Sequence, residues 1–229
     1  MKIGILCASD EELAPFLPCI EGDTVTERAK LRFHCGKIGG ADVVAVFSGV
    51  CKVNAAIAAQ LLIERFGAEL VLNAGTAGGM APSLELLDTV ISTEVVYHDV
   101  SPFILTQFHP WMETEFFRAD EKLLAASHRA AETLDPARRV IWGRMATGEA
   151  FIDSEGRADV NRRYSPLCVD MESAGVAHVC YAFDVPFLSI RSLSDTADHR
   201  GVENFEANSR AASEASRDVT LALLRQLNA

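Results

Sequence analysis

The sequence predicts an α/β three-layer domain. Short apolar runs alternate with alanine-rich helical runs along the whole chain, as expected of a sheet covered on both faces. Three of the apolar runs lead to an acid. Lys2-Ile3-Gly4-Ile5-Leu6 runs to Asp10-Glu11-Glu12, Val169-Asp170-Met171-Glu172 opens a helical stretch, and Val185 to Leu193 ends at Ser194-Asp195. A carboxylate beside a buried strand end is costly unless it has a task, and in open α/β sheets that edge is where ligands bind.

Each element has its own signature. The first strand reaches about Cys7, and Ser9 or Asp10 can cap a helix running to roughly Leu17, stopped by Pro18. Thr24 to Lys37 alternates weakly and reads as exposed antiparallel pairing, with Gly39-Gly40 as a turn. Val43 to Phe47 is a buried strand, and Lys52 to Phe66 a helix ended by Gly67. Glu69 to Asn73 is a strand opening into the loop Ala74 to Gly79. Thr89 to Tyr97 is a strand, Ser101 to Phe117 irregular and aromatic-rich, and Asp120 to Thr133 helical. Val140 to Met145 is a strand before the loop Thr147 to Ile152, and Cys168 to Met171 a short strand feeding a helix to about Phe183. After the strand ending near Asp195, an amphipathic helix from about Asn204 to Leu227 places Ala212, Ala215, Val219, Ala222 and Leu223 on one face. The 229 residues fit one domain.

Twenty-one basic residues stand against 32 acidic ones, a formal charge of −11, which argues against nucleic acid or an anionic membrane as partner. No apolar run is long enough to span a bilayer, and the first is too short for a signal peptide. Six cysteines without a Cys-x-x-Cys pair suggest reduced thiols in a cytoplasmic protein rather than disulfides or zinc.

The glycines of Ala74 to Gly79, Gly78 among them, let backbone approach a ligand or simply make a tight turn. The stretch lacks the Gly-Lys-Ser/Thr of a phosphate loop. Glu12, Glu172 and Asp195 are the candidate acid, base and hydroxyl anchor, although each alone could serve a helix N-terminus. Phe151 and Ile152 could form a slot for a flat base or anchor the core. His178 reads as a packed helix residue, and His98, His109 and His199 lack metal-ligand spacing.

Several segments together resemble the purine nucleoside phosphorylase superfamily, and within it the 5′-methylthioadenosine/S-adenosylhomocysteine nucleosidases. Lys2-Ile3-Gly4-Ile5 followed by Glu11-Glu12 matches the family's opening. Ser48-Gly49-Val50-Cys51-Lys52 matches its Ser-Gly-x-Gly-Lys, with Cys51 in place of glycine. Asn73 to Gly79 matches Asn-x-Gly-Ser/Thr-Ala-Gly-Gly, and Thr147-Gly148-Glu149-Ala150-Phe151-Ile152 matches Ser-Gly-Asp-x-Phe-Ile/Val. Asp170-Met171-Glu172 and Ser194-Asp195-x-x-Asp198 match its two acidic signatures. The resemblance implies a three-layer α/β/α sandwich with a central mixed twisted sheet, and a homodimer that cleaves a purine nucleoside with water and no cofactor or metal. It implies Asp195 as the acid at adenine N7, Glu12 as the base on water, and Glu172 on the ribose hydroxyls. Met171 and Thr76 would lie near the sugar, Phe151 on the adenine, the Ile152 backbone at its edge, and Phe205 at the 5′ end.

The segment Val100 to Met112 departs from the family pattern, leaving the 5′ substituent open; Phe103, Phe108 and Trp111, with Phe205, are expected to enclose an apolar one. Related phosphorylases hold phosphate with arginines in the first loop and just before the Gly-Ser loop. Here the first loop is acidic and Asn73 stands in the second place, which favours water over phosphate. A nucleosidase for another nucleoside, of 5′-deoxyadenosine or futalosine type, and a nucleoside-binding sensor are the alternatives.

Overall fold

The computed structural model describes residues 1–108, 112–152, 154–196 and 201–228, with the backbone alone for 154, 155 and 201–206. Its strands are β1 (Lys2–Cys7), β2 (Glu21–Arg28), β3 (Leu31–Ile38), β4 (Ala41–Phe47), β5 (Leu70–Gly79), β6 (Thr89–Tyr97), β7 (Phe116–Arg118), β8 (Val140–Thr147), β9 (Cys168–Asp170) and β10 (Phe187–Asp195). The helices are α1 (Asp10–Leu13), α2 (Lys52–Glu64), α3 (Pro102–Gln107), α4 (Glu121–Ala131), α5 (Ser154–Tyr164), α6 (Ser173–Ala182) and α7 (Gly201–Leu227).

The strands make one mixed sheet in the order β10-β6-β8-β9-β5-β1-β4-β3-β2, with β7 beside β6. Because β10 also pairs with β5, the strands β5, β10, β6, β8 and β9 close into a ring. Alternate residues feed two cores. Ile3, Ile5, Val43 and Ala45 face the side covered by α1, α4 and α7, whereas Leu6, Val44 and Val46 face α2 and α6. This is the expected three-layer α/β/α arrangement around a mixed sheet. All five apolar positions assigned to the inner face of α7 are buried. All six cysteines are free, and no helix among the described residues is long and apolar enough to cross a membrane.

Three local expectations need correction, and one helix went unread. The first helix spans only Asp10–Leu13, because Pro15 and Pro18 break the next residues into a turn and a 3₁₀ turn at Leu17–Cys19. The stretch 74–79 is not a loop: it continues β5, paired along β10 from Ile190↔Ala74 to Asp195↔Gly78 and with β9 at Gly78 and Gly79. The irregular segment contains α3 and β7. The polar helix α5 has no clear apolar stripe to announce it.

Candidate active site

The ends of β1, β5, β9 and β10 converge on a cavity of about 260 Å³. Glu12, Thr76, Gly78, Phe151, Ile152, Met171, Glu172 and Asp195 all line it, as do Val50 and Asp170. Phe205 lies on α7, but its side chain is outside the described residues, as are His109, Trp111, Asp198 and His199.

Glu12 is brought in by α1, whose cap is Ser9 Oγ accepting from the Glu12 N–H at 3.2 Å. Its carboxylate is held on both oxygens. Oε2 accepts from the Ala8 N–H at 2.6 Å, and Oε1 from the Thr76 N–H at 2.7 Å and the Thr76 hydroxyl at 2.9 Å. A Cβ on Gly75 would collide with this carboxylate, which is the physical need for glycine at that point of β5.

Glu172 stands at the N-cap position of α6 but makes no capping hydrogen bond. Asp170 does that work instead, Oδ1 accepting from the Ser173 N–H at 3.2 Å and from the Thr147 hydroxyl at 2.6 Å. Glu172 is thereby free to turn into the cavity, where Oε1 accepts from the Cys51 N–H at 3.0 Å. Burial pushes its carboxyl up to about 7, with Asp170 and Glu12 adding to the rise and Arg191 and the Cys51 amide opposing it.

Asp195, 2% exposed, ends β10. Burial raises its pKa, against a hydrogen bond from the Ser194 hydroxyl at 3.1 Å and the more distant charge of Arg157. A carboxyl so placed holds its proton to higher pH than a solvated one. Phe151 is 46% exposed at the cavity lip and is therefore no core anchor, while Ile152 packs on the small cluster of Met80, Val96, Ala146, Val160, Tyr164 and Val169. His178 is packed, its ring beside Tyr97 and Phe117.

Sequence reasoning missed Arg191, the hub of the site. Its guanidinium is fully buried in the middle of β10. It pairs with Glu172 at 3.2 Å, Asp170 at 3.0 Å and Glu12 at 3.6 Å, and donates to Asn73 Oδ1 at 2.8 Å. Burial works against its charge, but the three carboxylates outweigh that and hold it cationic. The signal was available: a cation in the middle of a buried strand must be paired. The expectation that no arginine lies near Asn73 is thus corrected. Phosphate is disfavoured all the same, because three carboxylates surround that single guanidinium and a dianion would still meet net negative charge.

The mixed sheet gathers carboxylates at its strand ends, and residues 2–225 match the model of the phosphorylase superfamily. The chain is 39% identical, over the full length of both chains, to the 5′-methylthioadenosine/S-adenosylhomocysteine nucleosidase of Anoxybacillus flavithermus. Its fold superposes with a TM-score of 0.90 on the enzyme of that name from Colwellia psychrerythraea in complex with adenine, at 34% identity over 99% of this chain and 96% of the other. The futalosine hydrolase of Helicobacter pylori superposes at 0.89, with 28% identity over 99% and 98%. The chain belongs to the phosphorylase superfamily and, within it, to the 5′-methylthioadenosine/S-adenosylhomocysteine nucleosidases.

Proposed function

We propose that this protein hydrolyses the N-ribosidic bond of 5′-methylthioadenosine and S-adenosylhomocysteine, releasing adenine and the 5′-thio-ribose. The observation that carries the reading is the convergence of Glu12, Glu172 and Asp195 on one cavity beside Phe151, Ile152 and Met171. Phe151 stacks on the adenine and the Ile152 backbone reads its edge. Glu172 holds the ribose hydroxyls, with Met171 and Thr76 against the sugar and Gly78 allowing close approach. Asp195 gives its proton to adenine N7 as the C1′–N9 bond breaks and its electrons pass to the base. Glu12 takes a proton from the water that bonds to C1′. One water is consumed, and the two carboxyls exchange their protons with solvent afterwards. No cofactor or metal enters. A binding sensor would need no water-activating base, so an intact Glu12 favours turnover.

The direct test is incubation with methylthioadenosine, S-adenosylhomocysteine, 5′-deoxyadenosine, adenosine and futalosine, following the free base by chromatography. The likeness to futalosine hydrolase keeps that substrate in the panel. Release of adenine from the two thio-nucleosides is expected; binding without release would make the protein a sensor. Added phosphate should not raise the rate, and the sugar should appear unphosphorylated. A sugar phosphate in the phosphorus NMR spectrum would overturn the hydrolase reading.

We further read the protein as a cytoplasmic homodimer. Val53 and Ile57 on α2 are 68% and 44% exposed, and Phe103 and Phe108 around α3 are 50% and 67% exposed. The two helices border one groove, lined by Val53, Ala56, Val100 and Leu105 among others. Exposed apolar side chains grouped along one groove fit a surface that a partner covers. In this reading the aromatic segment also reaches the partner's cavity and, with Phe205, encloses the 5′ group. Light scattering at micromolar concentration should give twice the chain mass; a monomer counts against this.

A further inference from the structure

Cys51 holds a backbone conformation that the cavity alone does not explain. Its φ of 87° and ψ of 158° lie in a region ordinarily open only to glycine. That conformation aims the Cys51 N–H at Glu172 Oε1, 3.0 Å away. A side chain persists there only where its surroundings over-determine it, and here they act on the Cys51 thiol, which hydrogen-bonds Glu149, and through the next residue. The Lys52 N–H donates to Glu149 Oε1 at 3.2 Å, and Lys52 Nζ lies 2.8 Å from both oxygens of Asp99. Asp99 Oδ2 accepts in turn from the Glu149 N–H at 2.9 Å. From the other side α6 presses on Lys52, where a Cβ on Gly175 would come within 2.9 Å of its carbonyl oxygen. The ion pair is shielded, with the Lys52 and Asp99 side chains 18% and 27% exposed. Burial alone would raise the Asp99 pKa, but the Lys52 ammonium and the Glu149 amide outweigh it and keep the carboxyl below its ordinary range.

Three separate segments are thereby tied together: the end of β6, the start of α2, and the loop that carries Phe151 and Ile152. Lys52, Asp99 and Glu149 are not among the residues lining the active-site cavity. Resting on the nucleosidase reading, we propose that these three residues form a clasp that positions Glu172, holding the strained Cys51 amide on its carboxylate and fixing the base-side loop to the same frame. They are positioning residues and do not touch substrate.

The clasp has a pH signature. Glu172 faces Arg191 on β10, Asp170 on β9, Glu12 on α1 and the Cys51 amide. A hydrogen bond to the ionised form favours it, so losing the amide raises the Glu172 pKa further. Glu172 serves the ribose hydroxyls as a carboxylate, so the acid limb of kcat/KM moves to higher pH.

The test measures kcat/KM for methylthioadenosine from about pH 5 to 9 in the parent, Asp99→Asn, Lys52→Gln and Lys52→Arg, each with and without Cys51→Gly. Asp99→Asn and Lys52→Gln should raise the acid limb by about half a unit or more, and Lys52→Arg by less. With Cys51→Gly the shift should shrink at least by half, because glycine adopts this conformation without steric strain. An unmoved limb in the folded variants, or the same shift with and without Cys51→Gly, overturns the clasp. Should Asp99→Asn fail to fold, Lys52→Gln decides. If the parent cleaves no nucleoside, the nucleosidase reading fails instead. The Glu172 titration is then followed by carbon NMR on glutamate-labelled protein, assigned with Glu172→Gln, and the same shifts are required there.

Discussion

Asp195→Asn is expected to slow adenine release ~10²–10⁴-fold, the usual worth of a positioned general acid, while leaving the fold intact. The leaving adenine carries the electrons of the broken bond, and a proton at N7 neutralises them. The amide matches the carboxyl in shape and can still meet the Ser194 hydroxyl, 3.1 Å from Oδ1 in the parent. It has no acidic proton to give. Because Asp195 is buried and its pKa raised, the parent keeps the donor form to higher pH than a solvated carboxyl would, and its rate should fall as pH rises through that pKa. The variant should lose this alkaline limb along with its rate. Adenine release by chromatography and thermal melting check both halves, and a wild-type rate in the folded variant refutes the acid assignment.

Glu12→Gln should cost a similar ~10²–10⁴-fold, but with a structural penalty that Asp195→Asn avoids. Both carboxylate oxygens of Glu12 accept backbone N–H groups, from Ala8 at 2.6 Å and Thr76 at 2.7 Å. A glutamine must turn its NH₂ toward one of those donors, leaving a buried pair unsatisfied at a cost of about 1–3 kcal/mol. In a domain of this size that lowers Tm by roughly 2–4 °C per kcal/mol. The variant is therefore assayed well below its own Tm. Calorimetry with adenine and a thio-sugar analogue should show retained binding in the folded variant, with turnover gone. Folded protein that still turns over at the parent's rate would reduce Glu12 to a helix-terminal role.

Most of the scaffold was legible in the sequence because its signals are local. Buried strands such as Ile3 to Leu6 and Val43 to Val46 are short apolar runs, α2 is a longer run apolar on most faces, and α7 shows its apolar positions at helical spacing. What escaped depends on partners distant in the chain. Residues 74–79 look like a glycine loop until β10 and β9 pair with them. The polar α5 has too few apolar residues to mark it as a packed helix.

The same division runs through the site. Strand ends and their acids pointed to Glu12, Glu172 and Asp195 by their joint placement, although each alone could serve a helix N-terminus. The tertiary structure decided how those acids share their neighbours. It assigned the capping of α6 to Asp170 rather than Glu172, and it placed Arg191 among three carboxylates from three elements. It also set Cys51 in a glycine-like conformation against Glu172, 121 positions away in sequence. Hydrophobic pattern and turn chemistry act over a few residues and are written in order along the chain. Charge pairing and backbone strain depend on distances in space, which exist only once the sheet and its helices are packed.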